Sequence, residues 1–376
     1  MNRLVIATMT LFCLVSSMLG QIKISLKNNL KLARTNEVVE VYMSQKYITV
    51  LSKPFILLDD KDMQIPYQLV FNDKKELSSF VFQADVAAKS SKIYYVKSGT
   101  PILANTKTSA RFVPERKDDF AWENELAAYR MYGPALAAEK PSNGVDLWLK
   151  STSDTVVNKR YRQELHEGLS YHIDRGEGLD CYAVGHTLGA GGITPFLDGK
   201  VLIGDHYDRY KVIENGPLRS VFTLYSDAVK IDKEIFKREI TITTTAGGLL
   251  NKAEVTYRGA NKQFQLAAGI SLHEVLGKTY DNIHKGIIAY AEDAVSIHHV
   301  PAGRNYVAVI MSKNIYEKRQ QENHLLLVAN YRVGSTYTYY FGGGWSKGGF
   351  AADVDWFKAV RNYHLKVKYP IKVKVI

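Results

Sequence analysis

Cysteine is almost missing from this chain. Cys13 and Cys181 are the two among 376 residues, and Cys13 falls in an N-terminal stretch that reads as a removable leader. No internal disulfide can then brace the fold, even in an oxidising compartment. The scarcity also excludes structural zinc held by cysteine pairs. Beyond the leader, no run approaches the about 20 apolar residues of a membrane-spanning helix. Familiar ligand motifs are absent as well. His166-Glu167 lacks the second histidine of a zincin helix, and Asp174 to Asp180 does not follow calcium-loop spacing. Gly189-Ala190-Gly191-Gly192 is followed by no Lys-Ser/Thr and sits in no βαβ context, so it reads as tight backbone turning rather than a phosphate cradle.

What is present describes a folded body with a large core. Hydrophobic residues make up 46% and charged residues 23%, average globular usage that argues against disorder and against a polytopic membrane protein. The formal charge of +11 favours anionic partners: nucleic acid, acidic glycan or an anionic surface. Nucleic acid ranks last, because no basic-aromatic recognition module appears. The first twenty residues carry Arg3, an apolar run from Leu4 to Val15, then Ser16, Ser17 and Gly20. That is the pattern of a cleaved secretory signal peptide, giving a periplasmic or secreted protein without stable membrane insertion.

Period-two apolar runs separated by Asn28-Asn29, Asp59-Asp60 and Asn72-Asp73 predict a small antiparallel β-sandwich over residues 21–105. Residues 106–117 read as a linker. Strand signals then recur through 118–376 with few helical interruptions, predicting a large antiparallel β-sandwich, so the fold class is mainly β. Residues 118–131 suit either helix or strand. Residues 353–363 read as a helix, with Trp356, Phe357, Val360 and Tyr363 on one stripe. Residues 365–376 read as a final strand whose lysines protect a solvent-facing edge.

Three clusters can carry chemistry. The densest, residues 166–186, interleaves His166, Glu167, Tyr171, His172, Asp174, Glu177, Asp180, Tyr182 and His186 with glycines and shows no apolar period, which describes a functional loop. An irregular metal site from Glu177, Asp180 and His172 is an alternative use of it; otherwise no metal or cofactor is expected. The second cluster runs from Arg116 to Glu125 and on to Arg130. The third, Gly342-Gly343-Gly344-Trp345, offers Trp345 as a sugar-stacking platform or as a core tryptophan at a strand end. With 24 Tyr and 4 Trp in a secreted β-rich chain, carbohydrate is the leading ligand class. Cys181 reads as a small buried apolar residue rather than a nucleophile.

At these residues the chain resembles a family catalogued as a domain of unknown function and found in bacterial polysaccharide-utilisation systems, one branch of which is an ulvan oligosaccharide dehydratase. The resemblance rests on residues 111–124 ending in Phe-Ala-Trp-Glu-Asn, on Tyr171-His172, on Gly176-Glu177-Gly178-Leu179-Asp180 with Tyr182 and Val184-Gly185, on Gly191-Gly192, on Gly216-Pro217-Leu218-Arg219, and on Gly344-Trp345. It departs at His186-Thr187-Leu188-Gly189-Ala190, where the family commonly has a proline and a different spacer.

The resemblance implies elimination of water from the non-reducing glucuronate or iduronate of an anionic oligosaccharide, giving a 4,5-unsaturated uronate. Such chemistry needs the carboxylate neutralised, a base near neutral pKa for H5, and an acid for the departing 4-hydroxyl. His172 is the expected base and Tyr182 or Tyr171 the acid. Arg116, Arg130 or Asn124 supplies charge or hydrogen bonds to the carboxylate. Glu123 and Glu177 orient His172 or bind hydroxyls, and Asp180 and Trp345 join the substrate-binding set. Three other readings remain: a polysaccharide lyase on acidic glycans, a glycoside hydrolase using Glu123 with Glu177 or Asp180, and a glycan-binding sandwich without turnover.

Overall fold

In a computed structural model the described residues are 22–44, 47–48, 51, 53–139, 144–204, 206–260, 263–273 and 277–376. The leader lies outside them. The chain forms two antiparallel β-sandwiches, as the alternating patterns predict.

The small one is built from β1 (Ile22–Lys27), β2 (Arg34–Tyr42), β3 (Phe55–Leu58), β4 (Gln64–Ile65), β5 (Tyr67–Phe71), β6 (Leu77–Val86) and β7 (Ser91–Ser98). One sheet has the order β2-β6-β5. Its inward side chains, including Val41, Phe80 and Phe82, meet Ile24, Leu26, Leu57 and Tyr94 of the other sheet in a dry core.

Residues 106–117 differ from the expected linker. They contain β8 (Ser109–Val113), which pairs with β9 (Asp119–Glu123). The ambiguous residues 118–131 resolve as strands, β9 followed by β10 (Ala127–Met131), and β11 (Val145–Leu149) completes this four-stranded sheet. A lone bridge, Val145 to Gly189, joins it to a second sheet. That sheet holds β12 (Ala190–Leu197), β13 (Lys200–Val201), β18 (Gln263–Ser271), β22 (Ile315–Gln321) and β23 (His324–Arg332). Together they form one layer of the large sandwich.

The other layer is an eight-stranded sheet, β14-β15-β16-β17-β24-β21-β20-β19. Its members are β14 (Arg209–Asn215), β15 (Arg219–Ile231), β16 (Glu234–Thr245), β17 (Asn251–Arg258), β19 (Gly277–Asn282), β20 (Ile287–Val295), β21 (Pro301–Met311) and β24 (Thr336–Trp345). The layers share one apolar core in which Trp122 and Tyr129 meet Phe222 and Phe341.

Two helices position the rest. α1 (Val157–His166) lies over the outer face of the β8–β11 sheet and buries Val157 and Tyr161 against Ala121, Ala128 and Trp148. The periodicity gave no hint of it, because its only buried positions are Val157, Arg160 and Tyr161. α2 (Asp353–Lys368) covers the outer face of the eight-stranded sheet, burying Trp356 and Val360 against Ile287, Ala289 and Ile310. It runs past the start of the strand expected over 365–376. Only β25 (Lys372–Val375) is extended, and it returns to the small sandwich as the edge neighbour of β1, its lysines alternating with half-buried valines.

The small sandwich is therefore completed by the chain's last residues. Deleting residues 370–376 removes Ile371, Val373 and Val375 from its core, an expected loss of about 3 kcal/mol. Hydrogen exchange should show lost protection in β1, with β15 and β16 unaffected; unchanged β1 protection would contradict the packing.

Candidate active site

The β8–β11 sheet is buried on both faces, so polar side chains on its outer face must satisfy one another. Arg130 on β10 lies opposite Asp146 on β11. Its Nη2 is 2.5 Å from Asp146 and 3.1 Å from Asp180 Oδ2, and its Nη1 is 3.5 Å from Asp119. Nη1 also donates to Tyr171 Oη at 3.1 Å. The guanidinium faces the rings of Tyr132, Trp148 and Tyr171 at 5.2 to 5.7 Å, cation–π contacts that strengthen away from water. Three carboxylates thus gather around Arg130, with Arg116 3.6 Å from Asp119 at the outer margin and the buried Arg160 guanidinium over the Trp148 ring at 5.8 Å.

Burial raises the proton affinity of two of these carboxylates. Burial pushes Asp119 up to about 6, against the pull of Arg130 and Arg116. Burial, with repulsion from Asp146, holds Asp180 well above the usual carboxylate range. Withdrawal from water disfavours the Asp180 anion more than the nearby arginines favour it.

Asp180 belongs to the loop after α1, which folds back over Arg130. Asp180 N–H donates to the Tyr171 carbonyl at 2.9 Å, and Tyr171 N–H donates to Glu164 on α1 at 2.9 Å. Asp174 accepts from Gly176 and Gly178 N–H. Gly178 has φ +103°, and a Cβ there would lie 2.1 Å from the Leu149 carbonyl oxygen, so only glycine lets the loop press onto β11. His172 stands next to Tyr171, partly open to solvent. Its Nδ1 is 2.8 Å from the Asp180 carbonyl oxygen. A carbonyl only accepts, so Nδ1 donates and the Nε2 of a neutral ring carries the free lone pair. The cluster thus presents a histidine with its outer nitrogen poised as a base, a tyrosine hydroxyl that already accepts from arginine, and a half-exposed Arg116.

A model of a domain of unknown function, DUF4861, matches residues 26–373. The chain belongs to the DUF4861 family. This DUF4861 chain is 28% identical over 370 residues to a Formosa agariphila protein described as uncharacterized protein P7, covering 94% of this chain and 93% of the relative. Among solved structures it resembles an α-mannosidase from Enterococcus faecalis V583, with a TM-score of 0.52 and 8% identity over 95% of this chain and 46% of the other. A second Enterococcus faecalis structure, a glycosyl hydrolase family 38 protein, gives a TM-score of 0.53 at 8% identity, over 95% and 47%. The chain spans less than half the length of these two proteins, and at this identity the likeness is one of fold.

In the DUF4861 chain the residues singled out from sequence separate into two groups. His172, Tyr171, Asp180, Arg130 and Arg116 converge. Glu123 does not join them. Its carboxylate pairs with buried Lys150 at 2.9 Å and accepts Val156 and Val157 N–H at the start of α1 and the Ser109 hydroxyl. It is saturated and belongs to the scaffold. Asn124 is taken up by the β9–β10 turn, accepting from Leu126 and Ala127 N–H and donating to the Gly248 carbonyl. Trp345 is fully buried and donates to the Ala302 carbonyl at 2.6 Å, so it is a core tryptophan and not an exposed platform. Glu177 faces outward onto Lys159 at 2.7 Å. Among the described residues no three His, Cys, Asp or Glu side chains gather as a metal site, so the Glu177, Asp180 and His172 arrangement does not assemble. Tyr182 points to the other side of the loop, buried edge-on to His273 at 5.0 Å. Cys181 between them is half-buried, its thiol pushed up to about 12 by burial.

Asp146, Tyr132 and His273 were missed, and Asp119 fell inside the second cluster without a role of its own. His273 places one ring nitrogen 2.6 Å from Glu292 and the other 2.6 Å from the Ala183 carbonyl. Both partners accept, so the ring is doubly protonated; burial opposes that charge, and Glu292 outweighs it and raises the pKa. The imidazolium fastens the loop to β20. A sequence signal existed for Asp146: in Val145-Asp146-Leu147-Trp148-Leu149-Lys150 two charged residues share one strand face with Trp148 inside an otherwise apolar run. None existed for His273.

Two stability outcomes follow from this geometry. Glu123→Ala strands Lys150 in the interior and should cost about 3 to 5 kcal/mol in denaturant unfolding; a cost under 1 kcal/mol would remove Glu123 from the scaffold. Asp119 holds its proton more tightly folded than unfolded, so its contribution is complete below its ordinary value of 3.8 and is lost as pH rises to about 6. Relative to Asp119→Asn, which has no proton to lose, the native chain should lose on the order of 3 kcal/mol across that window. A pH-independent difference would contradict the burial of this carboxyl.

Proposed function

We propose that this protein is a carbohydrate-active lyase that eliminates water from the non-reducing-end uronate of an anionic oligosaccharide, ulvan fragments being one such substrate. The observation that carries the reading is the Nδ1 bond of His172 to the Asp180 carbonyl, which leaves Nε2 as a base on a partly exposed ring. Nε2 takes H5, and the electron pair of the C5–H bond forms the C4=C5 double bond while the C4–O bond breaks. Tyr171 Oη accepts from Arg130, so its own hydrogen is free for the departing hydroxyl, which leaves as water. Arg116 is the arginine at the rim, and it meets the carboxylate where charge develops beside C5. Arg130, locked by three aspartates, orients Tyr171 from beneath and is not the carboxylate partner. This narrows the earlier expectation, which allowed either arginine, and prefers Tyr171, whose hydroxyl lies on Arg130 and whose ring adjoins His172, to Tyr182, which faces His273 on the other side of the loop.

A hydrolase built on Glu123 is disfavoured, since four hydrogen bonds already hold that carboxylate and a glycosidase needs two free carboxyl groups flanking a cleft. Incubation with a uronate-terminated oligosaccharide should give one product lighter by a single water, with near-ultraviolet absorbance from the conjugated double bond and no chain cleavage. His172→Ala should lower the rate about 10²- to 10⁴-fold while leaving the melting temperature within a few degrees. Cleavage with a gain of water would establish a hydrolase, and tight binding without either change would establish a binding module.

A further inference from the structure

A cavity of about 600 Å³ lies where the small sandwich meets the large one, within the usual size range of small-molecule sites. It is lined by the start of β2, the Glu125-Leu126 turn between β9 and β10, the turn after β16, and one face of α2. It is not the site around His172. The β9–β10 hairpin has Arg116 and Tyr132 at one end and this cavity at the other, and a five-residue strand at ~3.4 Å per residue separates them by roughly 15 Å.

The two walls differ in chemistry. Leu126, Leu249 and Phe350 make an apolar side, while Arg34, Glu37 and Lys366 bring charge from the other. Glu37 serves two cations: it takes the Arg34 guanidinium in a two-pronged pair, and its Oε2 is 3.8 Å from the Lys366 amine. The other carboxylate of the lining, Glu125, is held by Lys107 at 3.0 Å and by Gly247 N–H at 2.6 Å. The Arg34, Glu37 and Lys366 wall thus carries one positive charge more than its carboxylate balances. Burial and the neighbouring Arg34 also pull the Lys366 amine below its ordinary range, a penalty that an anion in the cavity would relieve.

We propose that this cavity is a second ligand site, binding a monosaccharide-sized carboxylate with its charge on Lys366 and an apolar face on Leu126, Leu249 and Phe350. The assignment does not depend on the elimination reaction. Titration calorimetry with glucuronate as the probe and glucose as the uncharged control tests it on the full chain. Lys366→Gln should weaken glucuronate binding at least tenfold, and Leu249→Trp, which fills the cavity and keeps the lysine, should abolish the same binding event. Arg116→Ala should retain it, and glucose should not compete. Lys366→Gln should still turn over uronate-terminated oligosaccharide at the native rate, so a failed elimination reading leaves this result standing, and the reverse. The proposal is overturned if the native chain binds no glucuronate, or if all binding disappears in Arg116→Ala and persists in Lys366→Gln and Leu249→Trp.

Discussion

Arg130, a guanidinium with almost no exposure to water, sits among Asp119, Asp146 and Asp180 and organises the sheet beneath it and the loop above it. Desolvating so many ionisable groups is costly unless each finds partners. The sheet supplies Asp119 and Asp146, but Asp180 and Tyr171 come from the loop. Two of the partners of Arg130 therefore arrive only when residues 171–180 are in place, and the charge network acts as the lock that holds the loop. Burial, which outweighs the nearby arginines, raises the proton affinity of Asp119 and Asp180.

The loop owes its position to three further fastenings. Glu123 anchors the N-terminus of α1 to the sheet through Val156 and Val157 N–H, a favourable place for a carboxylate at a helix start. Glu164 then holds the Tyr171 backbone from α1, and the His273 imidazolium holds Ala183 to β20. Residues 180–182 alternate between two environments: Asp180 faces the Arg130 cluster, and Tyr182 faces His273 and the sandwich interior. His172 gains its fixed tautomer from this chain of contacts, because the carbonyl it bonds is that of Asp180.

The two-sandwich fold was legible in the sequence because period-two alternation survives wherever one sheet face is apolar. The reactive loop was legible too, since Tyr171, His172, Asp180 and their glycines crowd into a few residues. The misread parts have specific causes. Residues 365–376 alternate lysine with apolar residues, yet Leu365 to Lys368 continue a helix whose stripe begins at Trp356. The glycines before Trp345 left open an exposed sugar-stacking platform, but they let the core close around β24, where a Cβ at Gly343 would lie 2.5 Å from Leu147. Glu123 looked chemical because nothing nearby in sequence announces Lys150 and the start of α1 as its partners. Arg130 looked like a ligand contact for the same reason: Asp146 and Asp180 reach it through sheet register and loop closure, which no local pattern encodes.

The Arg130-anchored loop fixes His172 with its proton on Nδ1 and its lone pair on Nε2. Long-range proton–nitrogen correlation spectra of the ¹⁵N-histidine-labelled chain, with His172 assigned through the His172→Ala variant, read that state directly. Above the pH at which the ring loses its second proton, the account predicts a protonated Nδ1 and a bare Nε2 for His172. A ring protonated on Nε2, or one averaging between tautomers as free histidine does, would contradict it.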